Sequence, residues 1–252
     1  MLKIETELNG ITTAEAYNLL QGPQSDDCLL HSGRNTIWRT EILGHQTAVK
    51  RFADSVLRSI IYACRSSKAQ RSFTNALELR HRGINTPEPI AYIEKRETLN
   101  RLTASIYISA YEKSSSLEQT VKQDKTVMIE FARFVAKLHE AGIRHDDLNA
   151  TNVRVRGEVG NRQFSLIDLN RMKIYPPGIP VPLNECFDNV TRFSNFSPDF
   201  CNFIRAYIKS RHLKGCAEQA AYEAKRRHDK SVDRIKRIKR ILMPLKKKYR
   251  SR

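Results

Sequence analysis

His145-Asp146-Asp147-Leu148-Asn149-Ala150-Thr151-Asn152 follows a helical stretch, precedes a strand-like run, and fits the pattern His-x-Asp-Leu-x-x-x-Asn. Singly, its residues have ordinary uses: His145 as a core histidine bracing a loop, Asp147 as a turn cap, Asn152 as a turn former. What stands on either side makes them a set. Sixteen residues past Asn152, Ile167-Asp168-Leu169-Asn170 puts a carboxylate at the end of the next apolar strand. Far upstream, Ala48-Val49-Lys50 puts a lysine at the end of another.

Phosphoryl transfer needs this combination. An attacking hydroxyl must be oriented and lose a proton, which the Asp147 carboxylate can accept. The phosphates of ATP are bridged by Mg2+, and that ion favours hard oxygen donors such as the carboxylate of Asp168 and the amide of Asn152. Lys50 adds positive charge for the α- and β-phosphates. The order Lys50, Asp147, Asn152, Asp168 is the order of a protein-kinase-like site.

The surrounding pattern supplies a frame. Thr36 to Ile42 and Gln46 to Phe52 read as a hairpin, and a helix is expected from Ser66 to Arg82. Strand-like runs follow at Ile90 to Glu94 and Leu102 to Tyr111. Upstream, Thr12 and Glu15 form a capping box for a short helix. Beyond Lys113-Ser114-Ser115-Ser116, Val127, Phe131, Phe134, Val135 and Leu138 recur at helical spacing on a helix of about Lys125 to Ala141. Short strands at Val153 to Arg156 and Phe164 to Ile167, then helices at Glu185 to Phe193 and Pro198 to Ser210, complete the frame.

Several phrases resemble the lipopolysaccharide kinase family, which includes Kdo and heptose kinases: Ser32-Gly33-Arg34-Asn35, Ala48-Val49-Lys50, Gly83-Ile84-Asn85-Thr86-Pro87-Glu88-Pro89-Ile90, His145 to Asn152, and Phe164 to Asp168. The likeness covers about residues 29–210. His-x-Asp-Leu-Asn-Ala is its most telling part, because ordinary protein kinases carry Lys-Pro where Asn149-Ala150 stand. The resemblance implies an α+β, two-lobed, protein-kinase-like fold with a β-rich lobe (29–112) and a helical lobe (113–210); outside it, the sequence reads as an N-terminal extension (1–28) and a basic helical tail (211–252). The resemblance further implies Asp147 as catalytic base, Asn152 and Asp168 as metal ligands, Lys50 as phosphate lysine, and Ser32, Gly33, Arg34 and Asn35 as part of the loop over the phosphates.

Family members often read Arg-Glu-Phe, with a glutamate for the lysine, where this chain has Arg71-Ser72-Phe73. Glu78 is about 120° further round the expected helix, so the partner of Lys50 is left open. Asp146 stands where kinases controlled by activation-loop phosphorylation carry an arginine, and no Ala-Pro-Glu follows Asp168. Both features favour a small-molecule or glycan acceptor.

The formal net charge is +17, and it is unevenly spread: from Arg211 to Arg252, 16 basic residues face 4 acidic ones. The rest of the chain is nearly balanced. Ile235, Ile238, Leu242 and Leu245 form a thin apolar stripe among lysines and arginines, with Pro244 expected to end the helix near Leu242. A basic amphipathic helix suits an anionic membrane surface. Nucleic acid is disfavoured as a partner, since only Tyr222 and Tyr249 could stack on bases in this tail. Apolar runs fall far short of the roughly 18 to 20 residues that span a bilayer. The start, Met1-Leu2-Lys3-Ile4-Glu5, lacks a secretory pattern. The expectation is a cytoplasmic chain, peripheral on the inner face of the inner membrane, that phosphorylates a lipopolysaccharide precursor. A kinase for another small-molecule or protein hydroxyl, and a non-catalytic kinase-fold protein binding membrane or nucleic acid, are the alternatives.

Overall fold

The computed structural model describes residues 1–7, 10–192 and 197–249. In chain order the first elements are β1 (Leu2–Thr6), α1 (Thr13–Gln21), β2 (Cys28–Ser32), β3 (Thr36–Ile42), β4 (His45–Arg51), α2 (Val56–Ile61), α3 (Lys68–His81), β5 (Pro89–Arg96), β6 (Leu102–Ala110) and β7 (Ser115–Ser116). Then come α4 (Leu117–Gln123), α5 (Val127–Glu140), β8 (Ile143–His145), β9 (Val153–Arg156), β10 (Gln163–Leu166), β11 (Met172–Ile174), α6 (Leu183–Val190), α7 (Pro198–Ser210) and α8 (Ala217–Tyr249). They divide into two compact units. One comprises Met1–Ser116, Asn152–Gly157 and Gln163–Met172; the other comprises Leu117–Thr151, Glu158–Arg162 and Lys173–Arg252.

The first unit is built on an antiparallel sheet of order β1-β5-β6-β4-β3-β2. Leu43 and Gly44 both adopt positive φ (51° and 77°), as a two-residue hairpin turn that follows the strand twist requires, and Ile42 faces His45 across it. Alternation sends Trp38, Val49, Ile93, Ile106 and Ile108 into one apolar cluster, where Ala16 and Leu20 of α1 join them. The capping box of α1 is formed: Thr12 Oγ1 accepts from the Glu15 N–H (3.2 Å), and Glu15 Oε2 accepts from the Thr12 N–H (2.8 Å). A separate cluster of Phe52, Ala69, Phe73 and Tyr92 seats α3.

Residues 1–28 are therefore not an extension. β1 pairs antiparallel with β5, Ile4 opposite Ile93, and α1 fills part of the core. The segments 152–157 and 163–172, expected in the helical lobe, group with the sheet unit, to which Asn85 and Thr86 bond Leu166 and Lys50 bonds Asp168.

In the second unit, α5 buries Val127, Phe131, Val135 and Leu138, and the Phe131 ring packs tilted by 38° against Phe203 of α7, 5.8 Å between centroids. α7 opens on Ser197, whose Oγ accepts from the Phe200 N–H (3.3 Å), with Pro198 at its first position. α6 ends at Val190, shorter than expected, and Phe193 lies outside the described residues. α8 is not wholly a tail, since Ala217, Ala221, Ala224 and Lys225 are buried. Lys225, only 1% exposed, donates to the Thr191 carbonyl (2.9 Å) and pairs with Asp229 (2.7 Å). The helix also continues through Pro244, which removes one backbone N–H without ending it. The side chains of Leu242, Leu245, Lys246-Lys247-Lys248 and Arg250 lie outside the described residues.

Candidate functional site

Lys50 is the sixth residue of β4, facing Ile37 of β3 and Tyr107 of β6. Its ammonium lies 2.7 Å from Oδ1 of Asp168, with side chains 15% and 30% exposed. The acidic partner that the sequence left open is thus Asp168 itself. α3 offers no carboxylate in its place: Ser72 donates to the Lys68 carbonyl of its own helix (2.8 Å), and Glu78 pairs with Arg82.

What α3 does instead is hold the Asp168 segment. Asn75 donates to the Leu169 carbonyl (2.7 Å) and Arg71 Nε to the Asn170 carbonyl (3.2 Å); the two side chains are four residues apart on one helix face. On the incoming side, Thr86 Oγ1 donates to the Leu166 carbonyl (2.8 Å) and the Leu166 N–H to Asn85 O (3.0 Å). Asp168 itself sits at φ 61°, a left-handed conformation that aspartate tolerates better than most residues, at about 1–2 kcal/mol. Asn170 Nδ2 donates to the same Oδ1 that meets Lys50. Two donors thus converge on one carboxylate oxygen. The sequence alone gives Arg71, Asn75 and Thr86 no role at the site; the i, i+4 spacing of Arg71 and Asn75 on the expected helix is the one signal that would have put them on a shared face.

Asn152 belongs with this group. Its carbonyl accepts from the Ile167 N–H (3.0 Å), one residue before Asp168, so the amide side chain and the carboxylate stand on adjoining segments. Among the described residues no hydrogen bond engages Oδ2 of Asp168. A carboxylate oxygen and an amide oxygen on neighbouring, part-buried segments fit a hard divalent ion.

Ser32, Gly33, Arg34 and Asn35 close the β2–β3 hairpin, the first three exposed. Ser32 pairs with Thr36 and Thr36 with Arg51, so the turn lies at the Lys50 end of the sheet. Asn35 Oδ1 accepts from the Ala53 N–H (3.3 Å), fastening the turn to the segment after β4. Nearby, Phe52 carries two ammonium groups over its ring, Lys50 at 5.2 Å and Lys68 at 5.8 Å, and Lys68 is itself paired with Asp54.

Asp147 is in the second unit, half-buried on a loop braced from within. Its N–H donates to Nδ1 of the fully buried His145 (3.1 Å), which assigns the imidazole proton to Nε2 in the neutral ring. Asn149 Nδ2 donates to Asp147 Oδ1 (3.2 Å), while Asn149 Oδ1 accepts from the Thr151 N–H (3.0 Å). Beneath, Asn189 of α6 donates to the His145 carbonyl (2.8 Å), and its Oδ1 meets His139 Nε2 (3.0 Å); His139 Nδ1 meets the Tyr207 hydroxyl (2.8 Å). Burial, reinforced by the charges of Arg211 and Arg144 and opposed by the Asn189 hydrogen bond, holds His139 down at about pKa 4. Asp146 is occupied by Arg144 (2.9 Å), which also reaches Glu185 (2.6 Å). Hydrogen bonds from Tyr175 first, then Lys173 and Arg144, hold the Glu185 carboxyl at about pKa 2.

The family model described as Lipopolysaccharide kinase (Kdo/WaaP) family matches residues 32–175. A 3-deoxy-D-manno-octulosonic acid kinase of Mannheimia succiniciproducens is 29% identical over 157 residues, 55% of this chain and 63% of that one. The KEOPS complex subunit Bud32 of Pyrococcus abyssi is 29% identical over 131 residues, 51% of this chain and 57% of that one. The chain thus spans about three-fifths of the length of these curated relatives. Among solved structures, WaaP in complex with acyl carrier protein superposes with a TM-score of 0.61 at 18% identity, covering 90% of this chain and 98% of that one, so the fold is the α+β, protein-kinase-like one. With the family model matching more than half of its residues, the chain belongs to the lipopolysaccharide kinase (Kdo/WaaP) family.

Proposed function

We propose that this chain transfers the γ-phosphate of ATP to a sugar hydroxyl of the lipopolysaccharide inner core, on Kdo or heptose. The observation that carries the reading is the Lys50–Asp168 contact at 2.7 Å, with Asn152 on the adjoining segment, in a member of this family. In this account the acceptor oxygen bonds to the γ-phosphorus as the bond to ADP breaks, and the hydroxyl proton passes to the carboxylate of Asp147. His145 keeps the Asp147 backbone in place through the Nδ1 bond and takes no proton from the acceptor. Lys50 would exchange part of its attraction to Asp168 for the nucleotide's α- and β-phosphates. Asp168 and Asn152 would hold Mg2+, which when bound offsets the charge on the phosphates. The Ser32–Asn35 turn would cover the phosphates from the Lys50 end of the sheet.

The site of action we infer to be the cytosolic face of the inner membrane, through the exposed part of α8. Among the described residues no helix is long and apolar enough to cross a membrane. Ile235 and Ile238 are 49% and 46% exposed, and Lys230, Arg234, Lys236, Arg237 and Arg240 around them are exposed as well. At roughly 1 kcal/mol per basic side chain near an anionic surface, this segment suffices for reversible docking.

The test is transfer of label from γ-labelled ATP to a panel of Kdo-bearing and heptose-bearing lipid acceptors and a generic protein acceptor. Label confined to the glycolipids supports the reading; label on protein alone overturns the acceptor class. Absence of Mg2+-dependent thermal stabilisation by ATP would point to a non-catalytic kinase fold.

A further inference from the structure

α2 buries none of its six residues. Val56, Leu57, Ile60 and Ile61 are 70%, 75%, 55% and 52% exposed, and at 100° per residue they occupy one face, with Arg58 and Ser59 on the other. Four large aliphatic side chains held in water on one short helix form a patch that calls for a partner. Where the helix stops, a cleft of about 220 Å3 begins, lined by Tyr62, Arg65, Ser66 and Gln70 with Lys3 and Arg96 from the sheet. No carboxylate lines it. The charge of Arg96 is offset by buried Glu94 (2.7 Å), whereas Lys3, Arg58 and Arg65 enter no ion pair among the described residues.

An apolar helix contiguous with a cationic cleft complements an amphiphile with an anionic head. We propose that α2 and this cleft form a binding site for anionic phospholipid at a bilayer surface, the aliphatic face among the acyl chains and the headgroup phosphate against Lys3 and Arg65. The site is separate from Lys50 and Asp168, and it gives the sheet unit a membrane contact of its own, independent of α8. The inference does not depend on which acceptor is phosphorylated.

The experiment uses the full chain carrying Leu57→Trp, a change at an exposed position; the native Trp38 is fully buried and supplies a constant background. With vesicles of phosphatidylethanolamine and phosphatidylglycerol, the introduced indole is expected to shift to the blue and to be quenched by brominated acyl chains. Phosphatidylcholine vesicles are expected to do neither. Adding Lys3→Gln and Arg65→Gln should raise the lipid concentration needed by about 25-fold, at about fivefold per charge. Soluble glycerol phosphate at the same headgroup concentration should leave the emission unchanged. The proposal is overturned if the indole stays unquenched on anionic vesicles, whether or not α8 binds them. It is equally overturned if neutral vesicles act as well as anionic ones, or if soluble glycerol phosphate reproduces the effect.

Discussion

Asp168 accepts the Lys50 ammonium at 2.7 Å across 118 residues of sequence, inside a single unit and without help from any carboxylate of α3. The pair is the electrostatic centre of the candidate site. It is also part-exposed, which separates its chemical from its structural consequences.

Lys50→Met is expected to lower ATP turnover about 100-fold or more, the loss typical of removing a group that stabilises developing phosphate charge. Its effect on stability should stay within about 1 kcal/mol, because part-exposed ion pairs contribute little. Paired measurements of turnover and thermal melting check this. A large loss of stability would make the contact structural.

Asn75→Ala removes the donor to the Leu169 carbonyl. The expected cost is about 1 kcal/mol of stability, together with a fall in kcat greater than any rise in KM, since Asp168 loses its tether and no binding group is touched. Thr86→Val, which removes the buried donor to the Leu166 carbonyl, should act in the same direction. Unchanged kcat in both variants would show that the segment is held by its backbone alone.

Asn189 is 2% exposed and joins His139 to the His145 carbonyl. Asn189→Leu leaves the buried His139 Nε2 without its partner and takes one of two donors from the His145 carbonyl, which keeps the Leu148 N–H (3.1 Å), and should destabilise by about 1–3 kcal/mol in urea unfolding. Turnover should fall as well, at temperatures where the variant is still folded, because the loop bearing Asp147 loses its floor.

Acid should act in two windows. His139 is held at about pKa 4, so between its ordinary value of 6.5 and about 4 the unfolded chain binds the proton that the folded one refuses. Stability present above pH 6.5 is therefore lost progressively down to about pH 4. Glu185, at about pKa 2 against an ordinary 4.5, contributes stability above pH 4.5 that is lost between there and about pH 2. Urea midpoints measured across these ranges should show the upper window flattened in His139→Asn and the lower one in Glu185→Gln.

Much of this was legible in the sequence, for local reasons. The loop from His145 to Asn152 declares itself because its hydrogen bonds run between near neighbours, as the His145–Asp147 and Asn149–Thr151 bonds do. The capping box of α1 and the β3–β4 hairpin are local in the same way. The partner of Lys50 was not legible, since it depends on a contact 118 residues away and on a substitution, Ser72, that shows only what is missing. β1 and β2 escaped because five-residue edge strands carry little alternation, and β2 is exposed throughout. Nor was the role of Lys225 legible: nothing in a basic run distinguishes a buried donor, and it is its burial that ties α8 to the Thr191 carbonyl.

The central claim is phosphoryl transfer with Asp147 as the proton acceptor. The most direct measurement is single-turnover transfer from γ-labelled ATP to a Kdo-bearing lipid acceptor by the wild-type chain and by Asp147→Asn. The account predicts label on the acceptor sugar with the wild type, and a loss of about 100-fold or more in the variant at unchanged ATP binding. A folded wild-type chain that labels neither Kdo nor heptose, or a variant that transfers as fast as the wild type, would contradict it.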